Sequence, residues 1–383
     1  MKSKKNIILV IFSDPMMFPP TCNAANILAE KGWRVKLLGY KYHNWEKIVL
    51  HPKVQLLYLG ELKPGIANVI NYCLLYFKLF YHTLRMQARW IYVYDAGPVG
   101  PACFCSLLLG IKWGYHNHDL FYNVHGWFNI IKYLEIKLAK KADFVSFPQS
   151  NRAYLFKNEA HLKVEPLIVY NSPRLDFSQV SKKSVFNIEQ LLQQQYSLII
   201  YQGTISGKFE IENICKSLKV VKSKIALIII GKELETGELQ KLKDFIVNEE
   251  VGGKIIFLRG IPYDELPALT KKCKIGLAKF SNSDPNELNN YYLIGASNKI
   301  AEYVGCGLTV LAPDTPVNKA FFDQYKIGYL CNPNDPVDIA SSIDALITDK
   351  DKYDEISSNN RRLFNEFLCY DKQFEKVLFE LNK

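Results

Sequence analysis

No apolar run in this sequence reaches the ~18–20 residues that a membrane-spanning helix needs. The best candidate, residues 66–81, is broken by Asn68, Asn71 and Lys78. A secretory leader is not expected, because the apolar stretch 7–12 is short and runs into Ser13-Asp14-Pro15. The nine cysteines contain no CxxC pair, and only Cys103 and Cys105 lie close together. That spacing excludes the usual zinc and disulfide frameworks and fits reduced thiols in a cytoplasmic core. Walker, zinc-protease and nucleophile-elbow patterns are absent. Gly97-Pro98-Val99-Gly100-Pro101 is not GxGxxG, and its prolines lack the amide donors a phosphate would use. Neither an internal repeat nor an extended low-complexity tract is present.

What is there is a globular composition, 48% hydrophobic and 22% charged, over 383 residues. That length suits two domains. The net charge of +10 is unevenly spread. Residues 1–180 hold 22 Lys/Arg against 11 Asp/Glu, and residues 181–383 hold 26 against 27. All seven histidines and all five tryptophans lie in the first half. Two halves with different surfaces imply two domains that meet different partners.

Strand-length apolar runs at 7–12, 35–40, 54–59, 91–94, 113–115, 144–147 and 167–170 alternate with helical patterns at 23–31 and 66–90. After the polar stretch 174–195 the scheme restarts, with strands expected at 198–201, 225–230, 255–258, 275–278 and 309–312. Helices are expected at 208–222, 237–249, 263–273 and 298–305. Strands without polar alternation, interleaved with helices, imply parallel sheets covered on both faces. The expected fold is therefore α/β, two Rossmann-like doubly wound domains facing a cleft. The boundaries fall at 1–175, a linker at 176–195, a second domain at 196–364, and an amphipathic C-terminal helix at 365–383.

The most informative segment runs from Gly295-Ala296-Ser297-Asn298-Lys299 to Glu302 and Gly307. It reads as a loop opening a helix, with Ser297 or Asn298 as N-cap. Free amides and the helix dipole at such a start suit a diphosphate, and Lys299 adds a charge. Asn298 and Glu302 share a face, so a carboxylate one turn inside can accept from a ribose diol. The plainer alternative is an N-cap followed by a Lys299–Glu302 surface pair. A second phosphate candidate is 201–208, a strand followed by a loop with Gly203 and Gly207, then Lys208. Lys208 could equally be an exposed lysine opening a helix.

Ser-Asn-Lys-Ile-Ala-Glu-Tyr-Val-Gly-Cys-Gly-Leu-Thr-Val-Leu-Ala, residues 297–312, resembles the donor signature of family 4-like glycosyltransferases with a GT-B fold. The likeness is strongest over 198–335. It implies a hexosyltransferase-type enzyme that moves a sugar from a nucleotide-diphosphate sugar to an acceptor hydroxyl. Retention of configuration is implied, with no metal and no other cofactor. Glu302 matches the family's ribose-binding glutamate, and Asn298 and Lys299 match a subgroup that writes this turn as Pro/Ser-Asn-Lys. Lys208 is similar in place to the diphosphate-binding Arg/Lys. Arg259-Gly260-Ile261 resembles the loop on which the base rests, with the Ile261 backbone favoured for the contact. Where the fuller motif has a sugar-touching glutamate, this chain has Ile294.

His118-Asp119, after the strand at 113–115, resembles the family's His-Asp at the donor sugar and supplies the catalytic candidates. His116 is an alternative, since alternation puts both histidines on one side of a strand. Asp349-Lys350-Asp351 resembles the DxD of a different glycosyltransferase fold but reads as a solvated turn. Lys2, Lys4, Lys5, the 66–90 helix and Lys132, Lys137, Lys140 and Lys141 near Trp127 are candidates for a patch on an anionic membrane or a lipid-linked acceptor. Scattered solvated lysines are the other reading; no nucleic-acid module accompanies the charge. The expected partners are a nucleotide-sugar donor and a saccharide or lipid-linked acceptor of surface-polysaccharide assembly. The expected location is cytoplasmic, peripheral on the inner membrane face. A nucleotide-sugar epimerase of the same fold and a catalytically silent membrane scaffold are the alternatives.

Overall fold

Apolar strands buried along their whole length dominate both halves of the chain, and every strand pairing is parallel. The structure, a computed structural model, describes residues 5–42, 48–63, 65–179, 189–209, 211–233, 235–251, 254–258, 260–280 and 286–383. The chain divides into two units, Met1–Pro173 with Tyr370–Lys383, and Arg174–Cys369. Residues 180–188 of the expected linker, Lys2, Lys4 and Arg259 lie outside the described residues, as does the side chain of Lys208.

In the first unit β1 (Asn6–Ile11), β2 (Arg34–Lys41), β3 (Val54–Glu61), β4 (Trp90–Tyr94), β5 (Lys112–His116), β6 (Phe144–Phe147) and β7 (Leu167–Ile168) form one sheet. Its order is β3-β2-β1-β4-β5-β6-β7, so the strand order reverses beside β1 and β4. The helices are α1 (Pro19–Glu30), α2 (Ile66–Met86), α3 (Val99–Leu109), α4 (Phe128–Leu138) and α5 (Ser150–Ala160). One face of the sheet, through Ile7, Leu9, Ile11, Tyr92 and Tyr94, shares a core with α1 and the C-terminal helix Tyr370–Asn382. That helix buries Tyr370, Phe374, Val377 and Leu381, each contributing roughly 1.5–3 kcal/mol. Right-handed crossovers put α2, α3 and α4 on the other face.

The second unit orders β8 (Ser197–Gln202), β9 (Ile225–Ile230), β10 (Lys254–Leu258), β11 (Ile275–Leu277), β12 (Thr309–Pro313) and β13 (Gly328–Cys331) as β10-β9-β8-β11-β12-β13. Its reversal falls beside β8 and β11. Gly231 is required there because a Cβ would meet the Gly203 carbonyl oxygen at 1.7 Å.

Several expected boundaries move for local reasons. α1 starts at Pro19, four residues before the expected 23, because proline is tolerated where a first-turn amide has no partner anyway. α2 stops at Met86, where Gln87 turns left-handed and donates its N–H to the Leu84 and Thr83 carbonyls. The helix expected over 208–222 is a 3-10 turn, Gly207–Phe209, and a short helix, Ile211–Ser217. The one expected over 263–273 covers only Leu266–Thr270. β13 was not expected. The DxD aspartate Asp349 caps the helix Lys350–Leu363, accepting from the Lys352 N–H at 2.9 Å.

Candidate functional site

In the second unit the decisive element is the helix Asn298–Cys306, which leads into β12. Tyr303 fixes it at the reversal point of the sheet. Its hydroxyl accepts from the Gln202 N–H at 2.8 Å and donates to the Leu277 carbonyl at 3.2 Å. The ring lies on Gly276, where a Cβ would meet it at 2.3 Å. Helix, β8 end and β11 end are thus tied at the strand edge where doubly wound folds take ligands.

Ser297 has the extended N-cap backbone, but no side chain caps this helix. First-turn amides without a side-chain cap, together with the helix dipole, are the kind of groups that can hold an anion. Asn298 begins the helix, and its amide oxygen is buried with no partner, an unmet acceptor that costs about 1–3 kcal/mol unless a ligand donates to it. Glu302 is 1% exposed, and its carboxylate takes Lys299 Nζ at 3.1 and 3.4 Å. The pair foreseen as a plain surface contact does form, but around a buried carboxylate. Lys299 stays 35% exposed. Burial pushes the Tyr263 hydroxyl well above its ordinary range, with the Glu302 charge adding to it.

The loop after β8 is less open than expected. Gly203 donates its N–H to the Ile230 carbonyl at 2.9 Å, so that amide is not available to a phosphate. Ser206 Oγ and the Gly207 N–H both give to Glu238 Oε1, at 2.9 and 3.2 Å. Lys208 sits in the 3-10 turn that follows. Ile261 is buried just beyond the end of β10. Ile294 is buried in a small depression shared with Lys279, Asn290, Thr315 and Asn318. Lys279 Nζ donates to Asn290 Oδ1 at 2.9 Å. The position expected to carry a carboxylate therefore presents an apolar side chain beside a cation.

In the first unit His118 follows β5 and is 4% exposed. It is clamped between Tyr94 and Phe18, with ring centroids at 5.1 and 4.9 Å. Its partner is Asp95, not the adjacent Asp119. The His118 N–H donates to Asp95 Oδ1 at 2.7 Å, and Nδ1 lies 3.1 Å from Oδ2. A carboxylate at Nδ1 favours the tautomer protonated there, and Nε2 lies 3.4 Å from Thr21 Oγ1. Asp119 turns outward and takes Arg152 Nη1 at 2.9 Å, and that buried guanidinium also donates to the His118 carbonyl at 2.8 Å. His116 is fully buried, 2.9 Å from Ser146 Oγ, and burial holds its imidazole well below the ordinary range. It is a packing residue.

Asp95 and Arg152 escaped the sequence reading. The available signal was position: Asp95 is the first residue past β4, at the reversal point, with φ 61. Behind His118, fully buried Glu135 on α4 accepts from Tyr115 and Asn117 and faces Lys132 Nζ at 3.4 Å. Burial pushes its carboxyl up to about 7.

Residues 185–363 match the family model described as Glycosyl transferases group 1. The chain carries a group 1 glycosyltransferase domain. No curated relative matches the sequence. Solved structures do match in fold. A glycosyltransferase from Rickettsia africae ESF-5 aligns at TM-score 0.76 and 11% identity, over 99% of this chain and 98% of that one. Anabaena Alr3699/HepE in complex with UDP and glucose aligns at TM-score 0.72 and 16% identity, covering 99% of each chain. Sucrose-phosphate synthase (tll1590) from Thermosynechococcus elongatus does so at 0.72 and 14%, again over 99% of each. The fold is GT-B, as the resemblance implied, and the helix Asn298–Cys306 lies inside the matched domain.

Proposed function

We propose that this glycosyltransferase moves a sugar from a nucleotide-diphosphate sugar to the hydroxyl of a saccharide or lipid-linked acceptor of surface-polysaccharide assembly, without a metal and with retention of configuration. The observation that carries the reading is the uncapped helix start at Asn298, with Lys299 at its mouth and buried Glu302 one turn inside. A diphosphate on those amides places the ribose diol within reach of the Glu302 carboxylate. The bond from the sugar C1 to the diphosphate oxygen breaks, and a bond from C1 to the acceptor oxygen forms. The acceptor proton passes to the departing diphosphate, whose charge is met by the amides and Lys299. UDP and glucose are present in the Alr3699/HepE structure, which makes UDP-hexoses the first donors to try.

The first unit is assigned the acceptor, and His118, oriented by Asp95, a place at the transferred sugar. The protein is assigned to the cytoplasmic face of the membrane, through the surplus charge of that half.

A thermal-shift series against UDP- and GDP-sugars tests the donor, with nucleotide release measured with and without acceptor. The expected outcome is stabilisation by one nucleotide family and diphosphate release that requires acceptor. Turnover without acceptor would instead identify an epimerase, and binding without turnover a scaffold.

A further inference from the structure

Helix α2 is apolar on two opposite sides, with Asn71, Lys78, His82 and Arg85 along one flank between them. Tyr72, Leu75, Leu79, Thr83 and Met86 turn inward. On the opposite side Ile66, Ile70, Leu74, Phe77, Tyr81 and Leu84 recur every three or four residues and remain 41–78% exposed. An exposed apolar side of this length marks a surface that meets a partner or lipid. Its neighbours extend the face. Tyr76 and Phe104 rings lie 5.8 Å apart, joining α2 to α3, and Tyr72 and Trp127 lie 5.8 Å apart, joining α2 to the start of α4. Leu107 and Leu108 on α3, and Ile130 and Tyr133 on α4, are exposed as well.

The charge on these helices has one sign. α2, α3 and α4 hold a single carboxylate, Glu135, and it is fully buried. Two exposed aromatics of the face each have a cation beside the ring. Arg85 lies 5.9 Å from the Tyr81 ring and donates to its hydroxyl at 2.8 Å, and Lys137 lies 5.8 Å from the Tyr133 ring. Lys140 and Lys141 are exposed past the end of α4, the opposite end of that helix from Trp127.

We infer that the α2–α3–α4 face lies on an anionic lipid bilayer, with its apolar side chains among the acyl-chain ends and Arg85 and Lys137 at headgroup phosphates. Among the described residues no helix is long and apolar enough to cross a membrane, and α2 is fixed to the sheet along one side, so it rests in the interface plane. A second copy of the chain fits poorly. A two-fold contact would set these cations against themselves with no carboxylate on the helices to answer them. The inference deepens the acceptor reading above, on which its biological use rests; the apolar and charge pattern itself does not depend on that reading.

Co-sedimentation with vesicles tests it. The full chain is expected to bind phosphatidylglycerol–phosphatidylethanolamine vesicles, and phosphatidylcholine vesicles more weakly. Salt should reduce the first without abolishing it. Phe77→Ser with Leu107→Ser should lower partitioning to both by at least about tenfold. Arg85→Gln with Lys137→Gln should remove only the preference for phosphatidylglycerol. These side chains are exposed, so circular dichroism and stabilisation by the nucleotide-sugar are expected to match the unaltered chain. Three results overturn the proposal: no vesicle binding by the unaltered chain, equal binding by the Phe77/Leu107 variant, or a dimer in light scattering that those substitutions dissociate. Failure to bind any nucleotide-sugar, with vesicle binding intact, would sink the donor reading and leave this one standing.

Discussion

Both units stack parallel strands in doubly wound order, seven in the first and six in the second, yet they meet solvent differently. Among the described residues the first unit exposes eighteen large hydrophobic side chains and the second only four. The half with more surplus charge is also the half with more exposed apolar surface. The second unit, whose sequence half is almost neutral, carries the anion site proposed above. One uncapped helix start, one lysine and one buried carboxylate are all that the proposal asks for there, because amides held in place need no net charge to bind a phosphate. On the proposals above, bulk charge and site charge answer to different ligands, a surface in one unit and a small molecule in the other.

The largest effect expected from breaking this contrast is at Glu302. Glu302→Gln should cut kcat/KM by about two to three orders of magnitude and abolish the thermal shift with nucleotide-sugar, circular dichroism being unchanged. Full activity in that folded variant would remove the second unit's claim to the donor. In the first unit Asp95→Asn should lower kcat by about ten- to a hundredfold with little change in donor KM, because it loosens His118. Asp119→Asn should stay within about threefold of the unaltered chain, since that carboxylate faces Arg152. The reverse order would return the orienting role to the residue adjacent in sequence.

A separate effect is on stability. Glu135 ionises at an ordinary 4.5 when unfolded and at about 7 when folded. Burial therefore costs nothing below the first value and its full amount, on the order of 3 kcal/mol, above the second. Glu135→Gln should melt higher than the unaltered chain near about pH 8, and the gain should shrink toward about pH 5. A gain that does not vary with pH would mean that the carboxylate is not the source.

The alternation of strands and helices was legible because buried parallel strands leave unbroken apolar runs, such as Ile225–Ile230. The helix at Asn298 was legible because its capping pattern is local. Asp95 was not, since its meaning comes from β4 and β5 lying side by side, a pairing set by residues twenty-two apart in the chain. Ring packing hid Tyr303 in the same way: without Gly276 beneath it, the residue reads as an ordinary apolar helix position. The openness of the Gly203 loop was overestimated because Glu238, its main hydrogen-bond partner, lies on a different element.

The C-terminal helix Tyr370–Asn382 has a consequence for how the chain is made. It supplies Tyr370, Phe374, Val377 and Leu381 to the core beside α1, and in chain order it comes after every residue of the second unit. The first unit therefore cannot complete that core until every residue of the second unit has been synthesised. Through that interval α1 and the exposed strand face wait with an uncovered apolar surface, a period in which a nascent chain is most in need of chaperones.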